Sequence, residues 1–417
     1  MMPYRPRIVD TELAQQLKAV GAVLLEGPKA VGKTATATQQ AGSIVALDTD
    51  AAARTAADTD PTLILDGVTP RLIDEWQVVP TVWNHVRREV DRREQPGQFV
   101  LTGSAVPADD VSRHTGAGRV ARLRMRPMTL FEQSYSTGQT SLAALFEGRG
   151  PSPAESDMTI PQLVKRVCAG GWPAMRSLNA ADAQQALRSY LDEIARVDIH
   201  RLDGVTRDPE RVRRVMRSLA RNVATQAAIT VIAAGTAAED EPVHRHTVPE
   251  YLAAMERLMI VEDQPAWTPQ LRSRSQLRTT PKRHYVDPCL AVAALRASPK
   301  QLLADLEYFG FLFESLVVRD LRVYSQLHGG RVLHYRDNTG LEVDAIVVLA
   351  DGRWAGIEVK LGQSRLDEAA TTLHTFVSRL DLTSCGEPAF LAVVTSGGYA
   401  YRRPDHILVI PIAVLGP

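Results

Sequence analysis

Cysteine is scarce in this sequence: three residues in 417, Cys168, Cys289 and Cys385, lie far apart and show neither Cys-x-x-Cys nor Cys/His spacing. A disulfide framework and a cysteine-built zinc site are thereby excluded, and a reducing cytoplasm is the expected location. Long apolar runs are missing as well. No stretch approaches the roughly 20 residues that span a bilayer, and the N-terminus lacks an apolar signal core, so export and membrane insertion are disfavoured. Charge of one sign is lacking too, with 48 Lys and Arg against 48 Asp and Glu. A neutral chain does not coat nucleic acid indiscriminately, so any such contact must come from local patches. Internal repeats and low-complexity segments are absent.

What the chain does have is 45% hydrophobic residues over a length that predicts two or three domains, each with its own core. Its most informative stretch is Gly27-Pro28-Lys29-Ala30-Val31-Gly32-Lys33-Thr34, entered directly from the apolar run Ala22–Leu25. This is a complete GxxxxGK[ST] phosphate loop in the strand–loop–helix setting the pattern requires. Glycines let backbone N–H groups turn inward around phosphates, Lys33 reaches the β- and γ-phosphates, and the Thr34 hydroxyl holds Mg2+. About forty residues on, Asp74-Glu75 follows a short apolar strand. Asp74 is placed to coordinate Mg2+ through water and Glu75 to polarise the attacking water, although an acidic pair that merely starts a helix has the same composition. Phe99–Leu101 then runs into Thr102-Gly103-Ser104, whose hydroxyls also suit a plain turn.

Short apolar strands alternate with helical stretches over the first part, the rhythm of an α/β parallel sheet. The expected strands are Val23–Leu25, Ile44–Leu47, Leu63–Leu65, Leu72–Ile73 and Phe99–Leu101. Gly148–Pro153 reads as a linker or exposed loop. Helices such as Ala180–Ala195 and Pro209–Val223 dominate the middle. Met259–Val261 and His284–Val286, with the basic segment Leu271–Arg278 between them, resemble the two strands and tip of a winged helix. The last part opens with a long helix and continues into strands Val332–Tyr335, Glu342–Val348, Trp354–Val359, Ala389–Val394 and Ile407–Pro411, a separate mixed α/β domain. The expected division is 1–135 for a P-loop NTPase sheet domain, 136–297 for a helical and winged-helix-like region, and 298–417 for the terminal domain.

GPKAVGKT, Leu72–Gln77, Phe99–Ser104, the Arg119/Pro127/Phe131-Glu132 segment, Gly170–Pro173 and Val197-Asp198-Ile199 together resemble the AAA+-like bacterial and archaeal ATPases that carry a C-terminal DUF4143 domain. The resemblance covers the whole chain and implies ATP with Mg2+. It also implies that Thr102 or Ser104 senses the γ-phosphate, and that Arg119 lies where such families place an arginine acting on a neighbouring subunit's nucleotide. An arginine in that role stabilises charge on the transferring phosphoryl group and implies a homo-oligomer. The competing reading of Arg119 is a surface arginine within the basic run Arg119–Arg126.

A second constellation lies at the far end. Glu314 sits on the expected helix Tyr308–Val323, Asp344 in Glu342-Val-Asp344, and Glu358-Val-Lys360 ends the next strand. Glu358 and Lys360, two apart, project from one face of a strand. The order resembles the PD-(D/E)xK nuclease core. Convergent carboxylates bind Mg2+ or Mn2+ through oxygen, and an adjacent lysine orients a water for attack on a phosphodiester. Structural ion pairs in a degenerate core use the same residues.

Three basic regions, Arg119–Arg126, Arg207–Arg217 and Arg272 to Arg283, make DNA backbone contact conceivable, each competing with an ordinary solvated face. His244 and His246 read as loop residues, and Trp76 and Trp172 as packing residues at domain junctions. The expected function is an ATPase whose nucleotide state controls a DNA-associated, nuclease-like terminal domain. The alternative is a nucleotide-gated protein-interaction switch, of a defence or toxin–antitoxin kind, with a catalytically inactive terminal domain. A small-molecule kinase fits less well, since the Asp-Glu pair and the large downstream domain have no place in it.

Overall fold

The computed structural model describes residues 3–104, 116–202, 204–205, 207–237, 242–269 and 280–417. The chain divides into two compact units. The first comprises Met1–Pro127 with Val197–Thr206 and Ala254–Met259, and the second comprises the remaining segments through Pro417.

Strand β1, Ala22–Glu26, follows helix α1, Ile8–Ala19, and leads through the phosphate loop into α2, Lys33–Thr38. The first unit continues with β2 Ser43–Ala46, α3 Ala51–Thr59, β3 Arg71–Asp74, α4 Val82–Arg93, β4 Phe99–Gly103 and β5 Val120–Arg124. The five strands pair in the order β2-β3-β4-β1-β5, and every pairing is parallel. Residues 22–25 are apolar without a break because β1 is covered on both faces. Ala22 and Leu24 pack with Trp76, Trp83 and Val86 in one core, whereas Val23 and Leu25 pack with Leu13, Leu17 and Val31 in another.

Four of the five expected strands in this unit are present. Leu63–Leu65 is not extended; it belongs to a 3-10 turn over Pro61–Ile64. Asp60 caps that turn by accepting from the Thr62 N–H at 2.9 Å, and Pro61 has the fixed φ suited to a first helical position. The basic run Arg119–Arg126 contains the unanticipated strand β5, an edge strand whose arginines keep it from pairing further. Trp76 is a core residue of the first unit beside Trp83, not a junction residue.

The second unit adds β6 Thr140–Ser141, β7 Ala154–Ser156, β8 Arg331–Arg336, β9 Glu342–Val348, β10 Trp354–Lys360, β11 Phe390–Thr395, β12 Gly398–Arg402, β13 Leu408–Pro411 and β14 Leu415–Gly416. Seven of these form a mixed sheet in the order β7-β12-β13-β11-β10-β9-β8. The helix Leu366–Ser378 packs Leu373 and Phe376 against its core with Trp354 and Val393. The middle segment is helical, including Ala180–Glu193 and Pro209–Arg221, and Trp172 is buried there edge-on to Tyr190.

Where two short strands were expected near 260 and 285, a narrow antiparallel ribbon forms. Gln264 and Lys282 exchange backbone hydrogen bonds of 2.9 and 3.0 Å, and Val286 N–H donates to Ile260 at 2.9 Å. Only the isolated bridges Val261 to Tyr285 and Gln264 to Lys282 mark it as β-structure. The basic tip Leu271–Arg278 lies outside the described residues.

Candidate nucleotide site and terminal carboxylate cluster

Parallel pairing brings the C-terminal ends of β1, β4 and β3 side by side, the edge of an open α/β sheet where ligands bind. Gly27 leaves β1 so close to the neighbouring chain that a Cβ there would stand 2.3 Å from the Met125 carbonyl oxygen. Gly32, at φ 106°, holds the left-handed turn that a side chain disfavours. Lys33 is buried and donates to the carbonyls of Gly27 and Pro28, both at 3.0 Å. Burial pushes its pKa down to about 8, against the opposing pull of Glu75 and Asp74.

Because β4 lies between β1 and β3, its Thr102 reaches the carboxylate at the end of β3. Thr34 Oγ1 donates to Asp74 Oδ1 at 2.8 Å, and Thr102 donates to the same oxygen. Glu75 follows in the left-handed region at φ 52°, its N–H donating to Thr102 Oγ1 at 3.3 Å. Gln77 donates to the Glu75 carboxylate, and Ser104 Oγ donates to it at 3.3 Å. Gln77 Oε1 is buried without a hydrogen-bond partner.

A cleft of about 650 Å³ opens here, lined by Lys29, Glu75, Gln77, Ser104, Asp198 and Arg201 among others. Asp198 ends a π-helical turn over Ile194–Asp198 and forms an ion pair with Lys29 of the phosphate loop. The motif Val197-Asp198-Ile199 stood out in the sequence without a role. Its pairing with Lys29 is tertiary, and no spacing rule predicts it.

Arg119 is not brought to this cleft. Its carbonyl accepts from the N–H of Ala22 at 3.1 Å, at the start of β1, whereas the loop leaves from the strand's far end. Four residue steps at roughly 3.3 Å each separate the two ends. The Arg119 side chain pairs with Asp91 at 2.7 Å.

In the second unit, Glu314 on the 21-residue helix Leu306–Gln326, Asp344 on β9, and Glu358 and Lys360 on β10 do converge. They are linked through two lysines. Lys282 Nζ lies 2.6 Å from Glu314 Oε1, 2.7 Å from Glu342 Oε1 and 3.3 Å from Asp344 Oδ1. Lys360 Nζ lies 2.6 Å from Glu358 Oε2 and 3.8 Å from Asp344 Oδ2. Burial opposes the Lys282 charge, yet Glu314, Asp344 and Glu342 hold its pKa well above the ordinary value. Burial, with Asp344 adding to it, raises Glu314 and Glu358 to about 8, whereas Lys282 and Lys360 hold Asp344 below its usual range despite burial. Burial thus favours the neutral form of Glu314 and Glu358, whereas the two lysines favour the charged form of Asp344 between them.

The sequence places Lys282 in the third basic region and Glu342 at the start of a strand without giving either a part in this cluster, and Lys282 is buried rather than on a basic surface. Glu342 precedes Asp344 by two residues and therefore shares its face, a signal that was present; Lys282 enters from the ribbon, which no local pattern reveals.

Comparison with known proteins adds three domain matches, each to part of the chain. Residues 20–133 match an AAA domain. Residues 160–301 match a domain of unknown function, DUF8612, and residues 309–415 another, DUF4143. Uncharacterized proteins of Mycobacterium bovis and Mycobacterium tuberculosis are each 24% identical over 410 residues, which span 97% of this chain and 83% of each relative. A Walker-type ATPase of Pyrococcus abyssi aligns at 12% identity and a TM-score of 0.42, covering 70% of this chain and 99% of its own.

The AAA domain match supports ATP binding. Thr34 and Asp74 supply hard oxygen donors side by side, and so few protein ligands suit Mg2+, which keeps several of its waters. The unpartnered Gln77 Oε1 offers an acceptor for a water in the same cleft. Among the described residues, no helix is long and apolar enough to cross a membrane.

Proposed function

We propose that the protein is a Mg2+-dependent ATP hydrolase whose nucleotide state is passed to the rest of the chain through the Lys29–Asp198 pair. The observation that carries this reading is the chain of hydrogen bonds from Thr34 through Asp74 to Thr102, with Glu75 adjacent. Phosphates occupy the loop Gly27–Thr34, with Lys33 on the β- and γ-phosphates. Thr34 and Asp74 hold Mg2+, and Glu75 activates water. Ser104, through Glu75 and Gln77, and Thr102, through Asp74, register the γ-phosphate. Phosphate oxygens compete with Asp198 for Lys29, so nucleotide entry loosens the pair. The chain enters and leaves the first unit at residues 197 and 206, and a change there is passed to both flanking segments. Arg119, too far from its own loop, serves a neighbouring copy in a homo-oligomer. Three functional segments, 1–135, 136–297 and 298–417, follow from this division of labour.

Lys33→Ala should abolish phosphate release while leaving the fold intact; an unchanged release rate would sink the assignment.

The terminal segment is read as nuclease-like in fold, with the ribbon before it as a winged-helix remnant. Cleavage of DNA would require Mg2+ or Mn2+ on Glu314, Asp344 and Glu358, with Lys360 beside the attacking water. The buried Lys282 among these carboxylates favours the other reading, a catalytically silent domain that binds a partner in one nucleotide state. Among the described basic residues, Arg122 pairs with Glu26, Arg213 with Asp192 and Glu210, and Arg217 with Glu210, which also favours a solvated face over a DNA track.

A further inference from the structure

We infer that Lys282 is the resident cation of the terminal carboxylate cluster, standing where a divalent metal would sit and leaving the nuclease-like core without a metal site. This deepens the silent-domain reading and rests on it.

The argument is geometric. An ammonium has three protons, and three carboxylates receive them: Glu314 at 2.6 Å, Glu342 at 2.7 Å and Asp344 at 3.3 Å. A divalent ion held by the same oxygens would need the space that the nitrogen fills. Two further oxygens are committed too. Asp344 Oδ2 accepts from the Val359 N–H at 2.9 Å, and Glu358 Oε2 accepts from Lys360 at 2.6 Å.

Lys282 cannot withdraw by changing rotamer alone. Its side chain is 1% exposed, and its backbone is clamped on both sides by Gln264 at 2.9 and 3.0 Å. The Gln264 amide in turn donates to the carbonyls of Leu333 and Asp344, both at 2.9 Å. The residue therefore enters from one segment and is locked through Gln264 to β8 and to β9, the strand that carries Glu342 and Asp344. Among the described residues, no group of three or more His, Cys, Asp or Glu is placed to hold a metal ion. Removing the ammonium while keeping the carboxylates leaves a buried acidic pocket, which is what a hard divalent cation requires.

The test uses the full chain free of nucleotide, titrated with Mn2+ by calorimetry and by thermal unfolding. The wild type should show no saturable Mn2+ binding that Asp344→Asn alters. Lys282→Met should gain one Mn2+ site, with Tm rising roughly 2 °C at about ten times Kd. The double variant Lys282→Met/Asp344→Asn should lose that gain. If Lys282→Met is unfolded in EDTA, Mn2+ should restore its far-UV circular dichroism; a variant that neither binds Mn2+ nor is refolded by it overturns the inference. So does a wild type whose Mn2+ binding disappears with Asp344→Asn. DNA cleavage is scored separately: metal-independent cleavage that Asp344→Asn abolishes ends the silent-domain reading but leaves Lys282 as the cluster's cation, whereas Mn2+-dependent cleavage that Asp344→Asn abolishes overturns both.

Discussion

Lys33 holds its charge in a buried position, and the consequence is measurable. With its pKa pushed down to about 8 by burial, the ammonium is largely present at pH 7 and lost as pH rises through that value. Phosphates bind the charged form and restore its pKa, so nucleotide affinity should be near its maximum at pH 7 and about tenfold weaker at pH 9. Titration of a fluorescent ATP analogue at pH 7, 8 and 9 checks this, and a flat profile would contradict it. Glu75 allows a second test at the same scale. Its carboxylate is oriented by Gln77 and Ser104, so Glu75→Gln should retain nucleotide affinity while slowing phosphate release by about 100-fold or more. Equal loss of binding would assign Glu75 to holding the loop rather than to hydrolysis.

At the scale of the element, the site depends on strand order. Inserting β4 between β1 and β3 lets one hydroxyl, Thr102, reach Asp74 beside the phosphate loop. Leu101, fully buried one residue earlier, anchors that strand. Leu101→Ala should lower unfolding stability by about 3 kcal/mol in urea titrations, as deletion of a packed side chain does. A change below roughly 1 kcal/mol would mean that the strand end is held some other way.

The strands legible in the sequence were those whose residues are apolar on both faces, such as 22–25 and 99–101. Leu63–Leu65 had that composition in miniature, but Asp60-Pro61 set a capped turn instead. β5 was hidden because Arg122 and Arg124 interrupt its apolar residues and make it read as a basic run. The ribbon around 260 and 285 was legible as two short strands flanking a basic tip, and they pair with each other.

For the whole molecule, the chemistry was legible wherever it rests on local spacing: the phosphate loop, Asp74-Glu75, and the Asp344 and Glu358-Lys360 strands. Lys282, Asp198 and Arg201 were not legible as site residues, because each reaches its partners only after distant parts of the chain have met. Their placement bears on output. With Arg119, Arg122, Arg213 and Arg217 paired to carboxylates, the phosphate-release rate should not respond to single-stranded, double-stranded or branched DNA at low or moderate salt. Stimulation that fades steeply with salt would restore a DNA partner.

The Lys29–Asp198 contact also imposes an order of events during synthesis. The phosphate loop leaves the ribosome early, but the wall of its cleft carrying Asp198 and Arg201 is translated only after the five-stranded sheet is complete. Until then the nascent domain offers a nucleotide an open, unlatched loop. On the proposed role of the Lys29–Asp198 pair, a full loop is told from an empty one only once the helical segment has been made.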